Sequence, residues 1–180
     1  MEPLAGLRDV QKFTGCLASL SRFLSRLGEK ALPLYQLLKK SDNFVWNAEA
    51  DQAFLDLKKM LSTAPVLAAP APGEPMMLYI AATPRVVSAV FVVERPEGEK
   101  GQLIQRPVYY ISEVLSQSKQ NYPHYQKLVY GVYLAIKRAK HYFGKHVVNT
   151  SLISEIVNNK DAAGRVAKWQ AEDGIRDRVM

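Results

Sequence analysis

The pattern of hydrophobic and polar positions changes once along this chain, at the proline-rich residues 64–75. Before that point, apolar residues recur every three or four positions, which is typical of amphipathic helices. After it, runs rich in β-branched and aromatic residues predict strands. The pattern therefore predicts an α+β chain whose first part is helical and whose second part contains a β-sheet.

Three helices are predicted in the first part, at residues 8–27, 31–40 and 48–62. Gly28 follows the first helix and is a suitable C-cap, because glycine tolerates the left-handed conformation found there. Asn47 precedes the third helix and is a suitable N-cap. Phe44 and Trp46 are expected to pack against that third helix rather than to bind a ligand.

The second part predicts strands at residues 76–80, 86–94, 106–112 and 146–150, and helices at residues 122–143 and 151–159. A tight turn is expected at Thr83, and a charged hairpin loop at residues 95–102. Three strands joined by short loops imply an antiparallel meander. The order β-β-β-α-β-α is that of the ribonuclease H fold, although periodicity alone does not establish it.

Composition indicates where in the cell the protein is expected to act and what kinds of partner it could bind. No run is long and apolar enough to cross a bilayer, and the N-terminus lacks the features of a signal peptide, so an intracellular setting is expected. The single cysteine, Cys16, cannot form an internal disulfide and is expected to be a buried thiol. The net charge of +7 is compatible with contact to phosphate backbones, and equally with a solvated, lysine-rich surface.

The sequence contains few groups of residues that could bind a metal or catalyse a reaction. The histidines His124, His141 and His146 do not cluster with cysteine at metal-ligand spacing. Two-metal phosphodiester hydrolysis requires several carboxylates that converge on hard cations. The first strand, the long helix and the fourth strand contain neither Asp nor Glu. The sequence therefore predicts no metal site and argues against nuclease activity.

Four blocks of the sequence carry a resemblance to a known family. They are VQKFTGCLASLSRFLSRLGEKALPLYQLLKK, FVWNAEADQAFLDLKKMLSTAPVLAAPAPGEPMMLYIAAT, RPVYYISEVLSQSKQNYPHYQKLVYGVYLAIKRAKHYF and AAGRVAKW. They resemble the pol polyproteins of Ty3/Gypsy-type LTR retrotransposons and look most like plant elements. The resemblance implies a helical reverse transcriptase thumb/connection segment at 1–63, a Pro-rich connector at 64–75, and a truncated RNase H-like domain with an incomplete mixed sheet at 76–169.

The resemblance also locates the family's catalytic carboxylates. The strand that ends in Asp-Ala-Ser in active members reads Ala81-Ala82-Thr83 here, so Ala81 takes the place of the aspartate. The glutamate of the family's helix motif corresponds to Leu128. The aspartate that ends the fourth strand corresponds to Thr150, with one position of doubt that involves Ser151. The resemblance therefore implies a degenerate site that lacks the Mg²⁺ ligands of active members, and no cofactor is expected.

The implied role is structural: to tether the polymerase to downstream domains and to hold an RNA–DNA hybrid. The implied partners are nucleic acid and the rest of the pol polyprotein, including the polymerase palm and the integrase, with no membrane. The implied location is a cytoplasmic virus-like particle or the nucleus. The candidate contacts to phosphates are the basic side chains Arg22, Arg26, Lys58, Lys59, Lys137, Arg138 and Lys140.

Two other functions stay open at this point. One is active RNase H, or a contribution to RNA-directed DNA synthesis; the other is an unfolded, non-functional relic. Residues 170–177 read QAEDGIRD, which looks like a translated sequencing-adapter primer, so residues 170–180 are expected to be a non-native, disordered tail. A native divergent tail is the alternative.

Overall fold

The computed structural model describes residues 6–39, 44–63, 65–98, 101–150 and 167–169. Its helices are α1 (Leu7–Ser19), α2 (Leu27–Lys30), α3 (Leu32–Lys39), α4 (Ala48–Ser62), α5 (Gln117–Gln120), α6 (His124–Arg138) and α7 (Lys140–Phe143). Its strands are β1 (Met76–Ala82), β2 (Val86–Glu97), β3 (Gln102–Val114) and β4 (Val148–Asn149). The predicted helix at residues 151–159 and the predicted tail at residues 170–180 lie outside the described residues.

The first predicted helix is broken, and the expectation of one helix over 8–27 was wrong. The α1 helix ends at Ser19, a 3₁₀ turn covers Ser21–Phe23, and Arg26 has a left-handed backbone with φ of 53°. The predicted C-cap was also wrong, because Gly28 lies inside α2. The chain turns here so that α2 can pack on the sheet, and that packing overrides the helical periodicity.

Local signals in the helical part were more informative. Asn47 caps α4 as predicted, and its side-chain oxygen accepts a hydrogen bond from the Ala50 backbone N–H at 2.8 Å. The rings of Phe13 and Trp46 both meet Phe54 edge-on, at centroid distances of 5.0 and 6.2 Å. The helices thus enclose a hydrophobic cluster of their own. Cys16 lies outside it and is exposed, so the expectation of a buried thiol was wrong.

The second part forms a mixed four-stranded sheet in the order β3-β2-β1-β4, which confirms the α+β prediction. The β1–β2 and β2–β3 pairs are antiparallel, as the meander predicted, and β4 runs parallel to β1. The predicted loop at residues 95–102 is shorter in the structure, because β2 continues to Glu97. The turn uses Gly98 and Gly101, both with positive φ.

The two faces of the sheet are covered by different elements. On one face, α6 approaches β1 and β2 at Gly131, and the surrounding apolar side chains form a second hydrophobic cluster. The predicted helix over 122–143 is interrupted at Ala139, which separates α6 from α7. On the other face, the Gly28 backbone N–H donates a hydrogen bond of 2.9 Å to Ser112 Oγ. The sheet is therefore the middle layer between α6 and the N-terminal helices.

The connector at residues 65–75 contains neither helix nor strand, as its proline content predicted. It is held against the sheet, because the Ala68 backbone N–H donates to the Pro107 carbonyl at 2.8 Å. Arg95 of β2 donates to the Ala69 carbonyl and to the Glu74 carboxylate. The domain limits at residues 63, 75 and 169 stay predictions. None of the helices in the described parts of the chain is long and apolar enough to span a membrane.

Candidate functional site

Ala81, the predicted position of the first lost carboxylate, lies near the end of β1 opposite Ser88 of β2. Its neighbours Ile80 and Ala82 pack into the cluster on the α6 side of the sheet. Because side chains alternate along a strand, Ala81 faces the other side. There it lines a cavity of about 280 Å³ with Arg26 of the N-terminal helical part.

Leu128, the second such position, lies on α6, half-buried against the cluster on the α6 side. By the alternation of side chains along β1, Ala81 therefore faces the side of the sheet opposite to the cluster against which Leu128 packs. Thr150, the third position, follows β4 and is only 3% exposed. Among the residues that the structure describes, no three or more His, Cys, Asp or Glu side chains are grouped so that they could hold a metal ion.

A lysine lies at the turn that follows Ala81. The Lys127 side chain is buried at the start of α6, and its Nζ donates a hydrogen bond of 3.2 Å to the Pro84 carbonyl. The Thr83 hydroxyl accepts from the Val86 backbone N–H at 3.0 Å and closes the turn. The group placed beside this end of β1 is thus a cation that secures α6. Nothing in the sequence pattern singled out Lys127 for that role.

A second polar cluster, also missed from the sequence, joins β3 to α5 and α6. The Glu113 carboxylate accepts hydrogen bonds from Tyr130 Oη at 2.6 Å and Arg138 Nη2 at 2.7 Å, and Lys119 Nζ lies 3.4 Å away. Burial, and then the hydrogen bond to Glu113, raise the pKa of Tyr130. The partners lie 6, 17 and 25 positions after Glu113, and the four residues belong to three different elements, so no single helix or strand period could have revealed them.

The Glu113 cluster borders a cavity of about 640 Å³ between the N-terminal helices and the end of β3. Leu27, Leu32 and Val114 supply apolar walls, and Tyr35 lies among them. Burial raises the pKa of Tyr35. The cavity lies at the junction of the two parts of the chain, where imperfect packing between layers leaves space.

The predicted cations of the helical part lie on different elements. Arg22, in the 3₁₀ turn, stacks over Phe23 at 4.7 Å. Arg26 Nη2 lies 2.7 Å from the Glu29 carboxylate. On α4, Lys58 Nζ lies 5.3 Å from the centre of the Phe54 ring. Lys59 is exposed on the same helix. The first three therefore have a partner within the protein.

The other predicted cations lie at the end of α6 and the start of α7. Lys137 Nζ is 3.5 Å from Tyr133 Oη, and Arg138 is held by Glu113 as described. Lys140 is exposed. Six of the seven predicted cations are thus distributed over the 3₁₀ turn, α4, α6 and α7, and Arg26 precedes α2. Five of the seven contact aromatic or acidic neighbours. The contacts of this set alone do not define a nucleic-acid surface.

Comparison with known proteins gives a consistent result. The family described as RNase H-like domain found in reverse transcriptase matches residues 46–150. A Gag-Pol polyprotein of Gibbon ape leukemia virus is 34% identical over 138 residues, which are 73% of this chain and 8% of that polyprotein. The transposon Tf2-3 polyprotein of Schizosaccharomyces pombe is 25% identical over 171 residues, which are 91% of this chain and 12% of the polyprotein. The chain therefore corresponds to a small part of these relatives.

Solved structures share the fold at low sequence identity. A foamy viral protease-reverse transcriptase in complex with RNA/DNA hybrid superposes with a TM-score of 0.74 and 20% identity, over 100% of this chain and 25% of that one. The same viral protein in complex with double-stranded DNA gives a TM-score of 0.74 and 21% identity, over 100% of this chain and 38% of that one. At 20–21% sequence identity, the similarity to these structures shows a shared fold and nothing about function.

Proposed function

The chain belongs to the family of RNase H-like domains found in reverse transcriptase, and from that premise we propose that it serves as a non-catalytic module of such an enzyme. In this role it tethers the polymerase to downstream domains of the polyprotein and holds nucleic acid without cleaving it. The observation that carries the proposal is the docking of the N-terminal helices on the face of the sheet where Ala81 lies.

The sheet therefore packs against helices on both faces, with α6 on one face and the N-terminal helices on the other. A nuclease site of the two-metal type requires carboxylates that converge on one pair of ions in an open cleft. Here Ala81 lines a cavity with Arg26, Leu128 is packed against apolar side chains of the α6 side, and Thr150 is buried. None of these three side chains is a carboxylate that could hold such ions, which suits a structural module.

Binding to nucleic acid is supported by charge and by the relatives. The chain carries a net charge of +7, and positive surfaces attract phosphate backbones through counterion release. A solved relative of the same fold is described in complex with RNA/DNA hybrid. We therefore assign an RNA–DNA hybrid as the partner in the proposal, together with the remainder of a pol polyprotein.

The proposal extends to the origin of the chain. The four sequence blocks resemble Ty3/Gypsy-type retrotransposons of plants, and the match to the Tf2-3 polyprotein supports a retrotransposon source. The matches to retroviral Gag-Pol polyproteins support the wider class of retroelements. In such a polyprotein the module would act inside a virus-like particle or the nucleus, next to polymerase and integrase.

The test is to incubate the whole chain with an end-labelled RNA–DNA hybrid, with and without Mg²⁺. We expect the hybrid to be bound and left intact. The logarithm of the binding constant should fall linearly with the logarithm of the salt concentration, because each phosphate contact releases counterions. Cleavage that requires Mg²⁺ and stops on addition of a chelator would contradict the proposal, as would the absence of salt-sensitive binding.

A further inference from the structure

A cleft separates the connector from the segment that follows α6. Its volume is about 590 Å³, which lies in the range of ligand-sized pockets. We call it the connector cleft, and the residues used below are Pro70, Pro72, Gly73, His141, Lys145 and His146. All of them lie in the described part of the chain, and none was among the seven predicted cations.

The connector cleft is basic. No carboxylate is among the residues that line it. The nearest acidic residue in sequence is Glu74, which follows Gly73. Its carboxylate accepts from Arg95 Nε at 2.9 Å and from the Ala71 backbone N–H at 2.7 Å. These bonds hold the pKa of Glu74 at about 2, so it stays charged. Arg95 pairs with that charge, and Lys145 is the one Lys or Arg side chain among the residues that line the cleft.

The side chains of the cleft are anchored by the core. Tyr142 lies between the two histidine rings, with its ring 4.1 Å from His141 and 6.1 Å from His146. The same ring packs against Phe91 and Tyr109 at 6.0 and 6.2 Å. Such packing restricts the movement of the neighbouring rings, so a ligand would meet a site that is already formed.

A hydrogen bond also fixes His146. Its Nδ1 lies 3.0 Å from the Glu74 backbone carbonyl. A carbonyl oxygen can only accept, so Nδ1 carries the proton and donates the hydrogen bond to Glu74. His141 is exposed on α7 and lines the cleft. The site thus combines one lysine and two histidine side chains, with none of the carboxylates that Mg²⁺ sites use.

We propose that the connector cleft binds a backbone phosphate of a nucleic-acid strand, with Lys145 as the charged contact and the ring N–H of His141 as a hydrogen-bond donor, while His146 is held by the Glu74 carbonyl and lines the cleft. This inference rests on the proposed function and names a surface for it. A phosphodiester has one negative charge and several acceptor oxygens, which match a basic cleft without carboxylates. Contacts to phosphate carry no sequence information, so binding here would not depend on base sequence.

The test is the fluorescence anisotropy of a labelled RNA–DNA hybrid titrated with the whole chain. Lys145→Glu is compared with Lys12→Glu, which makes the same charge change at an exposed position of α1. We expect Lys145→Glu to weaken binding on the order of tenfold and to lower the salt slope by about one. Lys12→Glu should change affinity by less than about twofold, and Lys145→Arg should retain it.

The outcomes separate this inference from the function on which it rests. If the wild-type chain binds the hybrid and both charge reversals weaken it equally, the connector cleft is not the site, although the proposed function stands. If the wild-type chain does not bind the hybrid, both fail, and polyglutamate bound through Lys145 would then identify a site for acidic peptides. His141→Gln provides a second variant, expected to weaken binding, in case Lys145→Glu lowers the melting temperature.

Discussion

Gly28 and Gly131 lie where the layers of the molecule approach most closely. A Cβ added at Gly28 would lie 2.9 Å from Ser112 Oγ, the atom that accepts its backbone N–H. A Cβ at Gly131 would lie 2.5 Å from Ile80 Cγ2 and 3.0 Å from Val87 Cγ1. Real Cβ atoms do not approach branched side chains so closely, and the side chains of a close-packed core can move only slightly to make room. Both positions therefore require glycine for reasons of space.

Gly131→Ala is expected to destabilise the protein by about 1–3 kcal/mol, because the added methyl group would push α6 away from β1 and β2. Denaturation with urea measures the change. The matched control is Gly15→Ala, at an exposed position inside α1 with nothing within 4 Å of the added Cβ. That change should stabilise by about 0.5–1 kcal/mol through helix propensity. Equal effects of the two substitutions would refute the role given to Gly131.

Single residues were predictable when their role was local. Asn47 could be assigned as an N-cap because capping involves only residues within one turn of the helix. Gly28 was assigned to a local role and in fact has a distant one, with Ser112 84 positions away. Cys16 was expected in a core because its neighbours are apolar, yet it lies on the exposed face of α1.

At the scale of elements, both long predicted helices are interrupted. The helix predicted at residues 8–27 ends before the 3₁₀ turn at Ser21–Phe23, and the helix predicted at residues 122–143 is divided at Ala139. In each case the apolar periodicity continues through the break. Periodicity records which residues are buried, and a chain that changes direction between two packing surfaces can bury the same residues. The sequence therefore located these helices but could not determine their lengths.

The connector is a segment without regular structure, and an ion pair is one of the contacts that hold it on the sheet. Glu74 binds Arg95 of β2, with Nη2 2.8 Å from a carboxylate oxygen. The hydrogen bonds from Arg95 and then from the Ala71 N–H lower the pKa of Glu74 from its usual 4.5 to about 2. A carboxylate with a lowered pKa in the folded state stabilises that state above its unfolded pKa, and the contribution disappears as pH falls through the folded pKa.

Comparison of Glu74→Gln with the wild-type protein tests this pair. Above pH 4.5 the variant should melt at a lower temperature by a constant amount. Between pH 4.5 and pH 2 the difference should shrink, and below about pH 2 the contribution of the pair should be gone, because Glu74 is then protonated in both states. Arg95→Met should lose the same pH dependence. A difference in melting temperature that stays unchanged down to pH 2 would show that the ion pair does not secure the connector.

At the scale of the whole molecule, the sheet lies between two packed layers of helices. Its α6 side holds one hydrophobic cluster, and its other side meets α2 and Arg26. Ala81 belongs to the second side and Leu128 to the first. By the alternation of side chains along β1, carboxylates placed at these two positions would start from opposite sides of the sheet, whereas shared metal ions require ligands within a few ångströms of one another.

The double variant Ala81→Asp, Leu128→Glu is therefore expected to restore neither Mg²⁺ binding nor cleavage of an RNA–DNA hybrid. Titration calorimetry with Mg²⁺ and a cleavage assay measure the two properties. Each single variant is the control, and circular dichroism checks that the fold is retained. Stoichiometric binding of Mg²⁺ by the double variant alone, with cleavage of the hybrid, would mean that the two positions do meet.

The sequence by itself determined the class of fold, the antiparallel meander, the cap at Asn47 and the absence of acids from β1, α6 and β4. These properties depend on composition and on neighbours along the chain. The tertiary structure alone decided that Ala81 faces away from the cluster against which Leu128 packs, that Glu113 gathers Lys119, Tyr130 and Arg138, and that His146 bonds to the connector. Such contacts join residues far apart in sequence, and only the packing of layers brings them within a few ångströms.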